Sequence, residues 1–122
     1  MTARPKVLVL EDEALIAMML EEWLMELGYD VAGPVGTAAE AMELSRSADI
    51  SAAILDVTVP DGNSFAVADT LSTRKIPFAF ATGHGGTGDP RHQGIPVLAK
   101  PYDFEAFKLT LTKALGLPPG LP

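Results

Sequence analysis

The chain alternates short apolar runs of strand length with longer segments of helical period. The apolar runs are continuous rather than interrupted by polar residues, which is typical of strands in a parallel sheet that helices cover on both faces. This βα repeat predicts an α/β fold, a doubly wound five-stranded parallel sheet with helices on both faces. The predicted strands are KVLVL (6–10), DVAG (30–33), SAAIL (51–55), PFAFA (77–81) and PVLA (96–99), and the predicted helices span 13–27, 37–47, 64–74 and 103–115.

Several helix boundaries carry end signals. Thr37 and Glu40 have the spacing of a capping box, and Asp103 is a favourable N-cap for the last helix. Gly28 and Gly116 follow helical stretches and predict C-terminal stops. The end signals therefore agree with the limits that the apolar pattern predicts.

Two segments interrupt the repeat. Residues 84–94, HGGTGDPRHQG, contain four glycines and a proline, which inside a helix are unfavourable by about 1 and 3 kcal/mol each. The helix that would connect the fourth and fifth strands is therefore predicted to be short or disordered. The tail LGLPPGLP (115–122) cannot continue the last helix through its prolines. We predict one domain over residues 1–116 and a proline-rich tail, or the start of a linker, over 117–122.

Composition argues against several classes of function. The formal net charge is -7 and the nine basic residues are scattered, so a nucleic-acid surface is not expected. The absence of cysteine excludes disulfides and thiolate metal sites. No apolar run approaches the roughly 18 to 20 residues that a membrane span needs, and acidic residues come too early for a signal peptide. We expect a cytoplasmic protein with no membrane partner.

Polar residues suited to phosphoryl chemistry stand at the ends of the predicted strands. Ligands of an open parallel sheet bind at the carboxyl ends of its strands, so these side chains are expected to converge. Crowded carboxylates repel one another unless a cation lies among them, and hard oxygen ligands suit Mg²⁺, or Mn²⁺ in its place. The residues are Glu11, Asp12 and Glu13 after the first strand, Asp56 after the third, Thr82 at the end of the fourth and Lys100 after the fifth.

Asp56 is the candidate nucleophile, because a carboxylate can attack phosphorus to form an aspartyl phosphate. Lys100 and Thr82 could bind the phosphoryl oxygens. Each group alone also has a plain structural explanation: the acids 11–13 as a helix cap, Asp56 as a turn residue, Lys100 as a solvated lysine and Thr82 as a strand-end hydroxyl. Their joint occurrence after four strands favours a phosphoryl switch.

Four stretches carry a resemblance to a known family: VLVLEDE (7–13), AAILDVTVPDG (52–62), FATG (80–83) and VLAKP (97–101). Through them the sequence resembles response-regulator receiver domains over essentially its whole length. The resemblance implies a flavodoxin-like strand order 2-1-3-4-5. It also implies a Mg²⁺ site formed by Glu11, Asp12, Asp56 and the backbone carbonyl of Thr58.

The same resemblance implies the reaction and the partners. Asp56 would accept a phosphoryl group from a histidine kinase or a phosphotransfer protein, and the amides of Thr58 and Gly83 would bind it. Thr82 would move toward the phosphate, and the peptide before Pro101 would be cis. Output would pass to an unknown downstream protein, from a monomer or a weak dimer. The protein would be a signalling switch and not an enzyme.

FATG (80–83) and KPY (100–102) resemble the receiver subclass named for its Phe-Ala-Thr-Gly signature. Gly85 stands where that subclass usually has tyrosine, and Val97 stands where many receivers have a switch aromatic. The glycine-rich segment 84–94 is predicted to become ordered or to shift on phosphorylation. His84 and His92 lie in it, and we expect both to be solvated, with a metal role as the alternative.

Two other functions stay open at this point. Asp56-Val-Thr-Val faintly resembles the Asp-x-Asp-x-Thr/Val motif of haloacid-dehalogenase-like phosphatases, although that family carries its nucleophile after the first strand and generally has a longer chain. The other alternative is a degenerate receiver that acts only as an unphosphorylated scaffold. The intact set of acids, threonine and lysine argues against that loss.

Overall fold

The computed structural model describes residues 4–47, 49–83 and 90–118. Within them, five parallel strands form one sheet: β1 (Lys6–Leu10), β2 (Asp30–Val35), β3 (Ala52–Asp56), β4 (Phe78–Thr82) and β5 (Val97–Ala99). The strand order is β2-β1-β3-β4-β5. The predicted fold class and strand order are therefore confirmed.

Four α-helices cover the two faces of this sheet in the described residues. They are α1 (Ala14–Glu26), α2 (Ala38–Ser47), α3 (Phe65–Thr73) and α4 (Phe104–Leu109), and a π-helical turn (Thr110–Ala114) continues α4. One apolar layer includes Leu24 of α1 and Phe107 of α4, and the other includes Ala41 of α2 and Leu71 of α3. Helices thus pack on both faces, as the continuous apolar strands predict.

The predicted helix ends are present. The amide of Glu40 donates to Thr37 Oγ1 at 3.2 Å, and the amide of Ala106 donates to Asp103 Oδ1 at 2.8 Å. Gly28 and Gly116 have φ values of +88° and +69°, a region that favours glycine. Local chemistry therefore determines these boundaries.

β2 is longer than predicted because it continues through a proline. The Gly33–Pro34 peptide is cis, and the pairing of β2 with β1 shifts register between Leu8 and Leu10. A Cβ on Gly33 would lie 2.8 Å from the amide nitrogen of Val35 and 3.2 Å from the carbonyl oxygen of Val9. Only glycine fits this close approach.

The structure describes part of the glycine-rich segment 84–94 and part of the tail 115–122. In the glycine-rich segment, Pro90–His92 form a single 3₁₀ turn, and residues 84–89 lie outside the described residues. At the start of the tail, Leu117 is buried and the carbonyl of Pro118 accepts a hydrogen bond from Tyr29 at 2.8 Å. Among the described helices, none has the length and apolar character needed to span a bilayer.

Candidate functional site

The predicted site residues meet at the carboxyl edge of the sheet. β1 and β3 end side by side with Leu10 opposite Leu55, and Asp56 lies opposite Ala81 of β4. A cleft of about 310 Å³ opens there. Its lining includes Asp12, Asp56, Thr58, Thr82, Gly83 and Lys100.

Lys100 joins the two buried carboxylates. Its Nζ lies 2.9 Å from Asp56 Oδ1 and 3.1 Å from Glu11 Oε1. The side chains of Glu11 and Asp56 are only 1% and 5% exposed. Buried charges are destabilising unless they are paired and hydrogen-bonded, so this ammonium stabilises both acids inside the fold.

The charges of the cluster shift the pKa values of its members. The pKa of Asp56 is raised from its ordinary value of 3.8 to about 7: burial is the largest cause, Glu11 adds to the rise, and Lys100 opposes it. Burial lowers the pKa of Lys100, but hydrogen bonds and charge from Asp56 and Glu11 outweigh that effect, so the pKa is raised. In the metal-free protein near pH 7, Asp56 therefore holds a proton part of the time while Lys100 stays charged.

The acids also have the chemistry of a divalent-cation site. Carboxylate oxygens of Glu11, Asp12 and Asp56 lie within 4.8 Å of one another. Glu11 Oε2 accepts a hydrogen bond from the amide of Glu13 at 3.0 Å, which orients the carboxylate. Three carboxylates face one ammonium, so the donor set suits a hard cation such as Mg²⁺. Thr58 lines the same cleft.

Thr82 and Lys100 are placed by the last two strands. Thr82 ends β4 and is 8% exposed, and its carbonyl accepts the amide of Lys100 at 2.9 Å. The Lys100–Pro101 peptide is cis, as the resemblance implied. Gly83 borders the cleft, and a Cβ there would meet no atom within 4 Å. The backbone beside Thr82 is therefore open to the cleft.

Two residues of the loop between β3 and α3 make contacts that sequence reasoning missed. The carboxylate of Asp61 accepts the amides of Ala38 and Ala39 at 2.8 and 3.1 Å. Asn63 Oδ1 accepts the amide of Phe65, the first residue of α3, at 3.0 Å. An asparagine just before a helical segment is a local signal that could have identified Asn63. The contact of Asp61 is tertiary and has no local signal.

His92 corrects one expectation. It is 8% exposed rather than solvated, and its ring lies 4.7 Å from the ring of Phe65 and 5.0 Å from that of Phe80. The two phenylalanines leave an apolar pocket that an imidazole ring fills. His84 lies outside the described residues, so its role stays a prediction.

The fold and the site together define a flavodoxin-like α/β domain with an acid and lysine cluster at the carboxyl edge of its sheet. No family model matches the chain. The phyllosphere-induced regulator PhyR of Methylorubrum extorquens is 34% identical over 116 residues, which cover 90% of this chain and 43% of PhyR. The chain thus spans less than half the length of this relative.

Solved structures agree with this assignment. SdrG from Sphingomonas melonis has 42% sequence identity and a TM-score of 0.81, with 96% of this chain and 100% of that chain covered. The REC domain of the response regulator PhyR from Erythrobacter litoralis has 26% identity and a TM-score of 0.78, with 98% and 95% covered. The chain belongs to the response-regulator receiver-domain family of two-component signalling. The phosphatase alternative also disagrees with the fold, because Asp56 ends the third strand and not the first.

Proposed function

We propose that this receiver domain is a phosphorylation-dependent switch with Asp56 as its phosphoacceptor and Mg²⁺, or Mn²⁺ in its place, as its cofactor. The observation that carries the proposal is the position of Lys100, within hydrogen-bond distance of both Asp56 and Glu11 at the edge of the cleft. A lysine so placed can bind a phosphoryl oxygen once the carboxylate beneath it has reacted. The FATG (80–83) signature supports a place in that receiver subclass.

The reaction is a phosphoryl transfer to a carboxylate. An oxygen of Asp56 attacks phosphorus of a phosphohistidine, the phosphorus–nitrogen bond breaks, and the imidazole nitrogen leaves with the electron pair and takes up a proton. Lys100, the Thr82 hydroxyl and the amides of Thr58 and Gly83 bind the phosphoryl oxygens. A cation held by Glu11, Asp12, Asp56 and the Thr58 carbonyl supplies positive charge to the transferring group.

The partners follow from this chemistry. The phosphoryl donor is a histidine kinase or a phosphotransfer protein, and the phosphorylated form binds a downstream protein. Hydrolysis of the aspartyl phosphate resets the switch, so the domain promotes only its own phosphorylation and dephosphorylation and is not an enzyme. We place it in the cytoplasm as a monomer or a weak dimer, without a nucleic-acid or membrane partner.

Intact mass after incubation with acetyl phosphate tests the proposal. We expect one added phosphoryl mass on the wild-type protein with Mg²⁺, and none with a chelator or in the Asp56→Asn variant. Adduct on Asp56→Asn would place the phosphoacceptor elsewhere. If wild-type protein gains no mass even when samples are quenched early enough to capture a short-lived adduct, the unphosphorylated scaffold becomes the better explanation.

A further inference from the structure

The loop between β3 and α3 is a small, closed structure. Thr58 pairs with Asn63 and Val59 pairs with Gly62 in a short antiparallel hairpin. The amide of Ser64 donates to the carbonyl of Val57 at 3.1 Å. Because Asp56 lies two residues before this hairpin and Thr58 lies within it, the position of the whole loop sets the position of the Thr58 backbone at the cleft.

Asp61, at the tip of this hairpin, contacts the N-terminus of α2. Both of its carboxylate oxygens are used, one by the amide of Ala38 at 2.8 Å and one by the amide of Ala39 at 3.1 Å. These hydrogen bonds lower the pKa of Asp61, so the carboxylate stays ionised at neutral pH. A negative charge at a helix N-terminus is also favoured by the helix dipole.

The α2 N-terminus does not depend on Asp61 alone. Thr37 Oγ1 accepts the amide of Glu40 at 3.2 Å and donates to the Glu40 carboxylate at 2.9 Å. The helix therefore has its own local cap within the chain segment that precedes it. The contact of Asp61 does something different, because it joins this helix to the loop after Asp56.

The segment that leads into α2 also touches the acids of the site. The amide of Glu11 donates to the carbonyl of Val35 at 2.9 Å. A Cβ on Gly36 would lie 3.5 Å from Cα of Asp12, an ordinary van der Waals distance, so the two segments run side by side there. Residues 35–39 are thus fixed to the Glu11 and Asp12 side of the cleft, while the hairpin 58–63 carries Thr58 on the other side.

We propose that Asp61 is a positioning residue for the cation site: by holding the hairpin 58–63 against the N-terminus of α2, it sets the distance between Thr58 and the Glu11–Asp12 pair. The inference rests on the proposed function, because it concerns the cation that the phosphoryl transfer requires. Asp61 itself is exposed and does not line the cleft. Residues that orient the ligands of a metal typically change metal affinity when they are substituted.

Calorimetric titration of the phosphate-free protein with Mg²⁺ tests the inference. We expect Asp61→Ala to weaken Mg²⁺ binding by about tenfold, the lower end of the range for outer-shell partners. Asp61→Asn, which keeps one acceptor oxygen, should fall between Asp61→Ala and the wild type. Amide exchange at Ala38 and Ala39 should become faster in Asp61→Ala, which would report directly that the contact is lost.

Thr37→Ala is the matched control, because it removes an acceptor from the same helix end without touching the hairpin. We expect it to lower the melting temperature while Mg²⁺ affinity stays near the wild-type value. Equal weakening of Mg²⁺ binding in both variants would reduce Asp61 to a helix cap and overturn the inference, as would unchanged binding in Asp61→Ala. A wild-type protein that binds no divalent cation would instead overturn the proposed function, and this inference with it.

Discussion

Replacement of Asp56 by asparagine is expected to stabilise the metal-free protein. Burial raises the pKa of this carboxyl from 3.8 to about 7, so the folded state holds the proton more tightly than the unfolded state does. Protonation of Asp56 therefore contributes to the free energy of unfolding. This contribution is fully present below pH 3.8 and is lost as the pH rises through about 7. Asparagine has nearly the same shape and cannot ionise, so the variant avoids that loss.

The magnitude follows from the size of the shift. At about 1.36 kcal/mol per pKa unit, a rise from 3.8 to about 7 corresponds to about 4 kcal/mol once the group is fully ionised. The cleft is open to solvent, which screens part of this effect, so we expect Asp56→Asn to be more stable by about 2 kcal/mol at pH 8. At pH 5 Asp56 is still protonated in the folded protein and already ionised in the unfolded chain. The difference in unfolding free energy between the variant and the wild type should then be below about 1 kcal/mol.

Urea unfolding at pH 5 and pH 8, with a chelator present, measures this difference in unfolding free energy. Comparison with the variant at each pH cancels the ionisation of all other groups. Saturating Mg²⁺ should stabilise the wild-type protein at pH 8 and reduce the advantage of the variant, because the cation binds the ionised form. A difference that stays constant between the two pH values, or a less stable variant at pH 8, would refute the electrostatic reasoning.

Other predictions test neighbouring parts of the structure. Lys100→Met leaves two buried carboxylates without their ammonium and should lower stability at pH 8 by about 2 kcal/mol, below the values for fully buried pairs, as denaturant unfolding would show. His92→Ala empties the pocket between two phenylalanine rings and should destabilise by about 2 kcal/mol, with faster amide exchange at Ile95. Tyr29→Phe removes the hydrogen bond to the tail and should lower stability by about 1 kcal/mol. Amide exchange in segment 84–94 should slow when beryllofluoride, a phosphoryl mimic, is added with Mg²⁺, and unchanged protection would contradict the predicted ordering.

Local signals were sufficient for most of the fold. The continuous apolar strands and the helical periods predicted every element of the sheet because periodicity depends on neighbours along the chain. Topology then brought Asp56, Thr82 and Lys100 together, since carboxyl ends of parallel strands meet at one edge. The proximity of the site residues was therefore predictable once the sheet was predicted. The hydrogen bonds between these residues were not predictable.

What sequence reasoning missed depends on contacts between distant segments. The burial of His92 is set by two phenylalanines on other elements, and the packing of Leu117 is set by residues of the core. The cis peptide before Pro34 and the π-helical turn after Leu109 likewise left no local pattern. The contact between Asp61 and Ala38 joins residues 23 apart, so only the assembled fold brings them together.

The charges of the site favour the binding of a divalent cation. Glu11, Asp12 and Asp56 present three carboxylates around one ammonium, that of Lys100. Without a cation, protonation of Asp56 relieves part of the negative charge, and the pKa of Asp56 is raised chiefly by burial and also by Glu11. A divalent cation balances the two remaining negative charges and favours the ionised nucleophile at neutral pH. The proton and the cation therefore compete for Asp56, and we expect Mg²⁺ affinity to rise between pH 6 and pH 8.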